Sequence, residues 1–119
     1  MASMIGWIAL GIALVLNAAA NALLKAGSVA LKEGLTKEAL AAAVLNPYLI
    51  GGIVLFALNV LFYTLALSKL PLSLAYPAMV IGGLLIVTTA SVLVFGESLS
   101  YLQVGGLALI VVGVILLYV

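Results

Sequence analysis

The feature that most limits what this chain can become is a set of four apolar runs: Met4 to Leu24, Pro47 to Leu67, Pro71 to Phe95 and Leu99 to Val119. None of them contains Asp, Glu, Lys or Arg. A helix needs roughly 20 apolar residues, at about 1.5 Å each, to cross a hydrocarbon core of about 30 Å thickness. All four runs reach that length, and none shows the period-two alternation of a barrel strand. In lipid, backbone groups are satisfied only within helices or closed barrels. The pattern therefore predicts an all-α integral membrane protein, a four transmembrane helix bundle, with residues 1–119 forming a single domain.

Composition agrees. Hydrophobic residues make up 68% of the chain and charged residues 6%, with a mean hydropathy of +1.52, a balance that no soluble domain tolerates. The chain has no Arg and no His and a net charge of +1, so it offers no basic patch and no nucleic-acid partner is expected. It also has no Cys. No thiol nucleophile, Ser-His-Asp set, metal-ligand cluster, phosphate-binding glycine loop or pair of catalytic carboxylates can be assembled. An enzyme is not expected, nor is a cofactor or a bound metal.

The polar punctuation sets the connections. Asn46 before Pro47 reads as an N-cap followed by proline at the first helical position, and Pro71 opens the third run. Gly96-Glu97-Ser98 is the last turn. The one sizeable polar connection runs from Lys25 to Asn46 and holds Lys32, Glu33, Lys37 and Glu38. Within it Thr36 can cap a short interfacial helix over 37–45. Met1-Ala2-Ser3 carries no Lys or Arg, so the first run reads as a retained helix and not a cleaved leader. The lysines favour a cytoplasmic first loop, because Lys25, Lys32 and Lys37 stand against Lys69 on the other side. Both termini would then lie outside, but the bias is weak and dual insertion stays open. The expected location is the plasma (inner) membrane, with several passes.

Polar groups inside a span tend to face a bundle interior or a cavity. Asn17, Asn21 and Lys25 are spaced four apart and, with Ser28 three further on, form a stripe along one face of the first helix. They are candidates for substrate contact, against the alternative that the amides bond neighbouring helices and Lys25 snorkels to the headgroups. Asn59 and Tyr63 are four apart in the second span, with Phe56 on the same side. The third span adds Tyr76 and Met79 to the candidate site, and Pro77, Gly82 and Gly83 as positions where the helix could bend. Thr88, Thr89 and Ser91 are expected to bond their own helix. The fourth span carries Gly105, Gly106 and Gly113, small residues suited to close packing and hence candidates for a dimer contact. No carboxylate stands within a span, so acid-driven coupling lacks its usual residue.

The second half of the chain, Leu70-Pro71-Leu72-Ser73-Leu74-Ala75-Tyr76-Pro77, then Phe95-Gly96-Glu97-Ser98-Leu99-Ser100, then Gly105-Gly106 through Leu109-Ile110 to Gly113, resembles the drug/metabolite transporter superfamily. The likeness is to its small four-helix, EamA- and SMR-like members and covers nearly the whole chain. Two branches compete. If Lys25 matches the lysine that ends the first helix of the small multidrug resistance exporters, their membrane glutamate falls on Asn17, and a tryptophan of their third helix falls on Met79. Ala75-Tyr76-Pro77 and the amide Asn21, four residues before Lys25, are similar instead to the small subunits of aminoarabinose-phosphoundecaprenol flippases. The resemblance implies a transporter or flippase that works as a homodimer or as a heterodimer with a similar small subunit. Its expected substrate is a lipid-linked or amphipathic anion, with membrane lipid as the other partner. An SMR-like exporter of drugs or small metabolites and a non-transporting accessory subunit are the alternatives.

Overall fold

The computed structural model describes residues 2–32 and 34–119; Met1 of the amino-terminal tripeptide and Glu33 of the polar connection lie outside the described residues. The chain is all-helical: α1 (Ala2–Gly27), a 3-10 turn (Ser28–Leu31), α2 (Lys37–Leu45), α3 (Pro47–Lys69), α4 (Leu72–Leu93) and α5 (Tyr101–Tyr118). Four of these helices, all but α2, are long and apolar enough to cross a membrane.

Local chemistry explains the helix ends. Thr36 accepts a hydrogen bond from the Ala39 N–H at the start of α2. Asn46 accepts from the Tyr48 and Leu49 N–H groups, and Pro47 follows in the first turn of α3. Each such cap satisfies donors that a helix start leaves unpaired. The helix limits differ from the apolar runs in physical detail. Helix α1 continues past Leu24 to Gly27 and α3 past Leu67 to Lys69, since a lysine's long stem lets a helix emerge before its charge must be solvated. Pro71 stands just outside α4, with extended backbone, and its carbonyl accepts from Leu74 and Ala75. Helix α4 stops at Leu93, short of Phe95. Helix α5 starts at Tyr101, two residues after Leu99, because Ser100 and Gln103 form a reciprocal capping box.

The closest packing joins α1 to α3, and its basis is a repeat. On α1, Gly6, Ala13, Ala20 and Gly27 recur every seventh residue, and all four are buried. On α3, Gly52, Asn59 and Ala66 do the same. A seven-residue repeat keeps one seam facing a partner helix, and small residues let the backbones approach in lipid, where dispersion and not the hydrophobic effect drives association. A methyl group on Gly27 would lie 2.6 Å from the Leu49 side chain and 2.8 Å from its backbone nitrogen. One on Gly52 would meet Leu24 at 2.9 Å.

Helix α4 packs on α1 and barely touches α3. Its buried residues are Ala75, Met79 and Gly83, four apart on one face. Gly82 admits Leu14 of α1, and Gly83 lies against Asn17. Pro77 sits inside an unbroken helix. Helix α5 leans on α4, buries no residue, and ties its end to the start of α4 through the Tyr118 hydroxyl, which donates to the Leu74 carbonyl.

Candidate functional site

Because α3 and α4 both pack on α1 but hardly on each other, a cleft of about 600 Å³ opens between them, floored by α1. Asn17 and Asn21 line it from α1, Phe56, Asn59, Val60 and Tyr63 from α3, and Tyr76, Met79, Val80, Gly83, Leu84 and Val87 from α4. Its outer side is unscreened: Phe56, Val60, Tyr76 and Val80 are all exposed there.

Six of the seven substrate-contact candidates named from the sequence therefore stand around one space: Asn17, Asn21, Asn59, Tyr63, Tyr76 and Met79. Each is placed by its helix register. Asn59 occupies the middle position of the small-residue repeat on α3, and Tyr63 follows one turn later on the cleft side. Lys25 is apart from the six. It stands two turns beyond Asn17 and faces two other clefts at the end of the bundle.

The polar inventory is uneven. The Asn21 side-chain nitrogen donates to the Asn17 carbonyl at 2.8 Å and to its Oδ1 at 3.1 Å, so these two amides bond within their own helix. Asn59 is 6% exposed, yet its Oδ1 has no hydrogen-bond partner, and neither does the buried Tyr63 hydroxyl. A buried polar atom left unpaired costs about 1–3 kcal/mol, and both residues that carry one stand on the cleft wall. Among the described residues no Asp, Glu, Lys or Arg lines the cleft. It can offer amide and phenol hydrogen bonds and aromatic faces, but no fixed charge.

The other named positions have different surroundings. Gly82 and Gly83 are places of close approach to α1. Gly105, Gly106 and Gly113 have open space where a side chain would project, Gly106 on a groove it shares with Thr88 of α4. Thr89 and Ser91 donate to their own helix, at the Leu85 and Thr88 carbonyls. Ser28, the last member of the stripe, donates to the Lys25 carbonyl. A second cleft missed by the sequence reading combines Lys25 with Thr88, Ser91, Phe95 and Glu97. Its one legible signal was Glu97, an acidic residue standing within four positions of two spans.

No known family's sequence profile matches the chain, and no solved structure matches it. A protein of Sinorhizobium fredii, described as the uncharacterized protein y4nH, is 37% identical over 97 residues, which cover 82% of this chain and 80% of that protein.

Proposed function

The chain belongs to the same family as the Sinorhizobium fredii protein y4nH, and we propose, on the site geometry, that it is a membrane transporter or flippase of the drug/metabolite transporter kind. Its substrate is a lipid-linked or amphipathic anionic molecule carried across the plasma membrane. The observation that carries this reading is the pair of unpartnered buried atoms, Asn59 Oδ1 and Tyr63 hydroxyl, on a roomy cleft at the depth of the bilayer. Hydroxyl or amide groups of a substrate head would satisfy them once the two side chains turn toward the cleft, and its apolar part would leave through the exposed side toward lipid.

The absence of charge in the cleft assigns the work. The polar but neutral part of the substrate passes between α3 and α4, and an anionic group stays near Lys25 at the bundle end. Export of cations is disfavoured, because a cation in lipid needs a carboxylate or a complete aromatic cage. An accessory subunit is disfavoured too, since all its polar side chains would be paired; Asn17 and Asn21 bond one another, but Asn59 and Tyr63 do not. Transport follows from movement of α4 against the α1–α3 pair. A second copy, identical or similar, covers the open side.

Reconstitution into vesicles tests the reading. Purified chain is expected to accelerate translocation of a lipid-linked anionic sugar, and Asn21→Leu and Lys25→Ala are expected to reduce the rate at least about tenfold. Undiminished translocation in both variants removes the site assignment; no translocation by the native chain removes the function.

A further inference from the structure

Beside the neutral cleft lies a smaller one of about 350 Å³, of opposite character, where α1 and α4 end. Asn21 and Lys25 face it from α1, Thr88 and Ser91 from α4, and Phe95 and Glu97 from the segment after α4. It holds one charge of each sign. Glu97 owes its place to the backbone: Gly96 takes φ +66°, a left-handed conformation that favours glycine, and the Glu97 N–H then donates to the Ser91 carbonyl at 3.1 Å. The carboxyl-bearing residue is thereby folded back against the end of α4, across from Lys25. Among the described residues no lysine nitrogen lies within 4.0 Å of a carboxylate oxygen, and Lys25 and Glu97 both line the cleft.

Thr88 connects this polar space with an apolar groove. The groove, about 340 Å³, runs between α4 and α5 and is lined by Leu85, Val92, Leu93 and Leu107, with Thr88 on its wall. A cation, an anion and hydrogen-bonding groups at the level of the helix ends, adjoining an apolar groove among the spans at Thr88, match a ligand with three parts. It has a phosphate for Lys25, a primary ammonium for Glu97 and an acyl chain for the groove.

We infer that the Lys25–Glu97 cleft binds the amine-bearing phosphodiester headgroup of a bilayer phospholipid, with an acyl chain laid along α4 and α5. The Ser91 hydroxyl already donates to the Thr88 carbonyl, so its free lone pair is oriented to accept from the ammonium. A quaternary headgroup keeps the positive charge but cannot donate to Glu97. A glycerol headgroup keeps the phosphate but sets a net negative charge against the carboxylate. The site is one of binding, whether or not the lipid held there is the molecule that the neutral cleft carries.

Native mass spectrometry of the full chain in detergent, titrated with phosphatidylethanolamine, phosphatidylcholine and phosphatidylglycerol, tests this directly. The ethanolamine lipid is expected to bind about five- to tenfold more tightly than the glycerol lipid, the range for a charge-assisted contact in a half-open site. Lys25→Gln should weaken the ethanolamine lipid by a similar factor, and Glu97→Gln should abolish its advantage over the glycerol lipid. The exchange Lys25→Glu with Glu97→Lys should restore the preference, which also shows that the single variants failed through charge and not through folding. Equal binding of the three lipids by the native chain, or an unchanged preference in Glu97→Gln, overturns the assignment. Soluble O-phosphoethanolamine separates headgroup from lipid: weak competition is expected, and competition equal to that of the lipid overturns the part given to the groove.

Discussion

The two halves of this bundle are held together by different means. Helices α1 and α3 meet along facing seven-residue repeats, Gly6, Ala13, Ala20 and Gly27 against Gly52, Asn59 and Ala66, with no room for a methyl group at Gly6, Gly27 or Gly52. Helices α4 and α5 are attached more lightly: α4 rests on α1 through Ala75, Met79 and Gly83, and α5 buries nothing. The candidate site lies at the seam between the two regimes. In a membrane, where lipid is as apolar as the side chains, close backbone approach makes a rigid frame and its absence leaves an element free to shift. A cleft with one tightly packed wall and one loosely held wall is suited to a cycle of opening and closing.

This contrast can be broken in graded steps. Substituting leucine at Gly27 or Gly52 should have the largest effect. The new side chain meets backbone or a fixed neighbour, so overpacking of about 3 kcal/mol or more is expected, seen as loss of the monodisperse folded species on heating in detergent. Asn59→Leu should split two readouts that usually move together. Thermal stability should rise by about 1 kcal/mol as an unpartnered amide oxygen leaves the seam, while substrate translocation falls at least about tenfold. A fall in both would make Asn59 a packing residue. Gly82→Ala should cost about 1 kcal/mol, because the added methyl meets only the flexible end of Leu14, and Leu14→Ala in the same chain should recover part of that loss in a double-mutant cycle. Gly113→Ala should do least. Its methyl meets nothing within the chain, so stability should stay level or rise by up to about 1 kcal/mol from the helix preference for alanine. Any penalty should appear only in cross-linking between copies.

Much of the frame was legible because it rests on strong local chemistry. The lengths of the apolar runs, the Asn46-Pro47 start and the Thr36 cap each act within a few residues, and helices begin there. The start of α5 is equally local: the apolar run begins at Leu99, but the Ser100 and Gln103 capping box sets the helix start at Tyr101. The α1–α3 seam was harder to read. Glycines drew attention in pairs on the third and fourth spans, whereas the signal that holds the bundle is a period of seven shared by Gly6, Ala13, Ala20 and Gly27. Asn59 looked like half of an Asn59–Tyr63 pair; its burial follows from standing in line with Gly52 and Ala66. For the site, spacing within one helix grouped Asn17 with Asn21 and Lys25, but only the relation between helices shows that Lys25 looks elsewhere. Glu97 escaped because its position depends on the left-handed turn at Gly96 and not on any helical spacing.

The small-residue seam also bears on the order in which the bundle assembles. Glycine and alanine lose almost no side-chain rotamer freedom when they pack, so docking α1 on α3 sacrifices little disorder beyond the meeting of the two helices. These are consecutive long helices in the chain, so an insertion that follows chain order brings both into the bilayer before α4 and α5. The α1–α3 hairpin is therefore the expected first product of membrane insertion, a preassembled template on which α4 settles and to which α5 is added last.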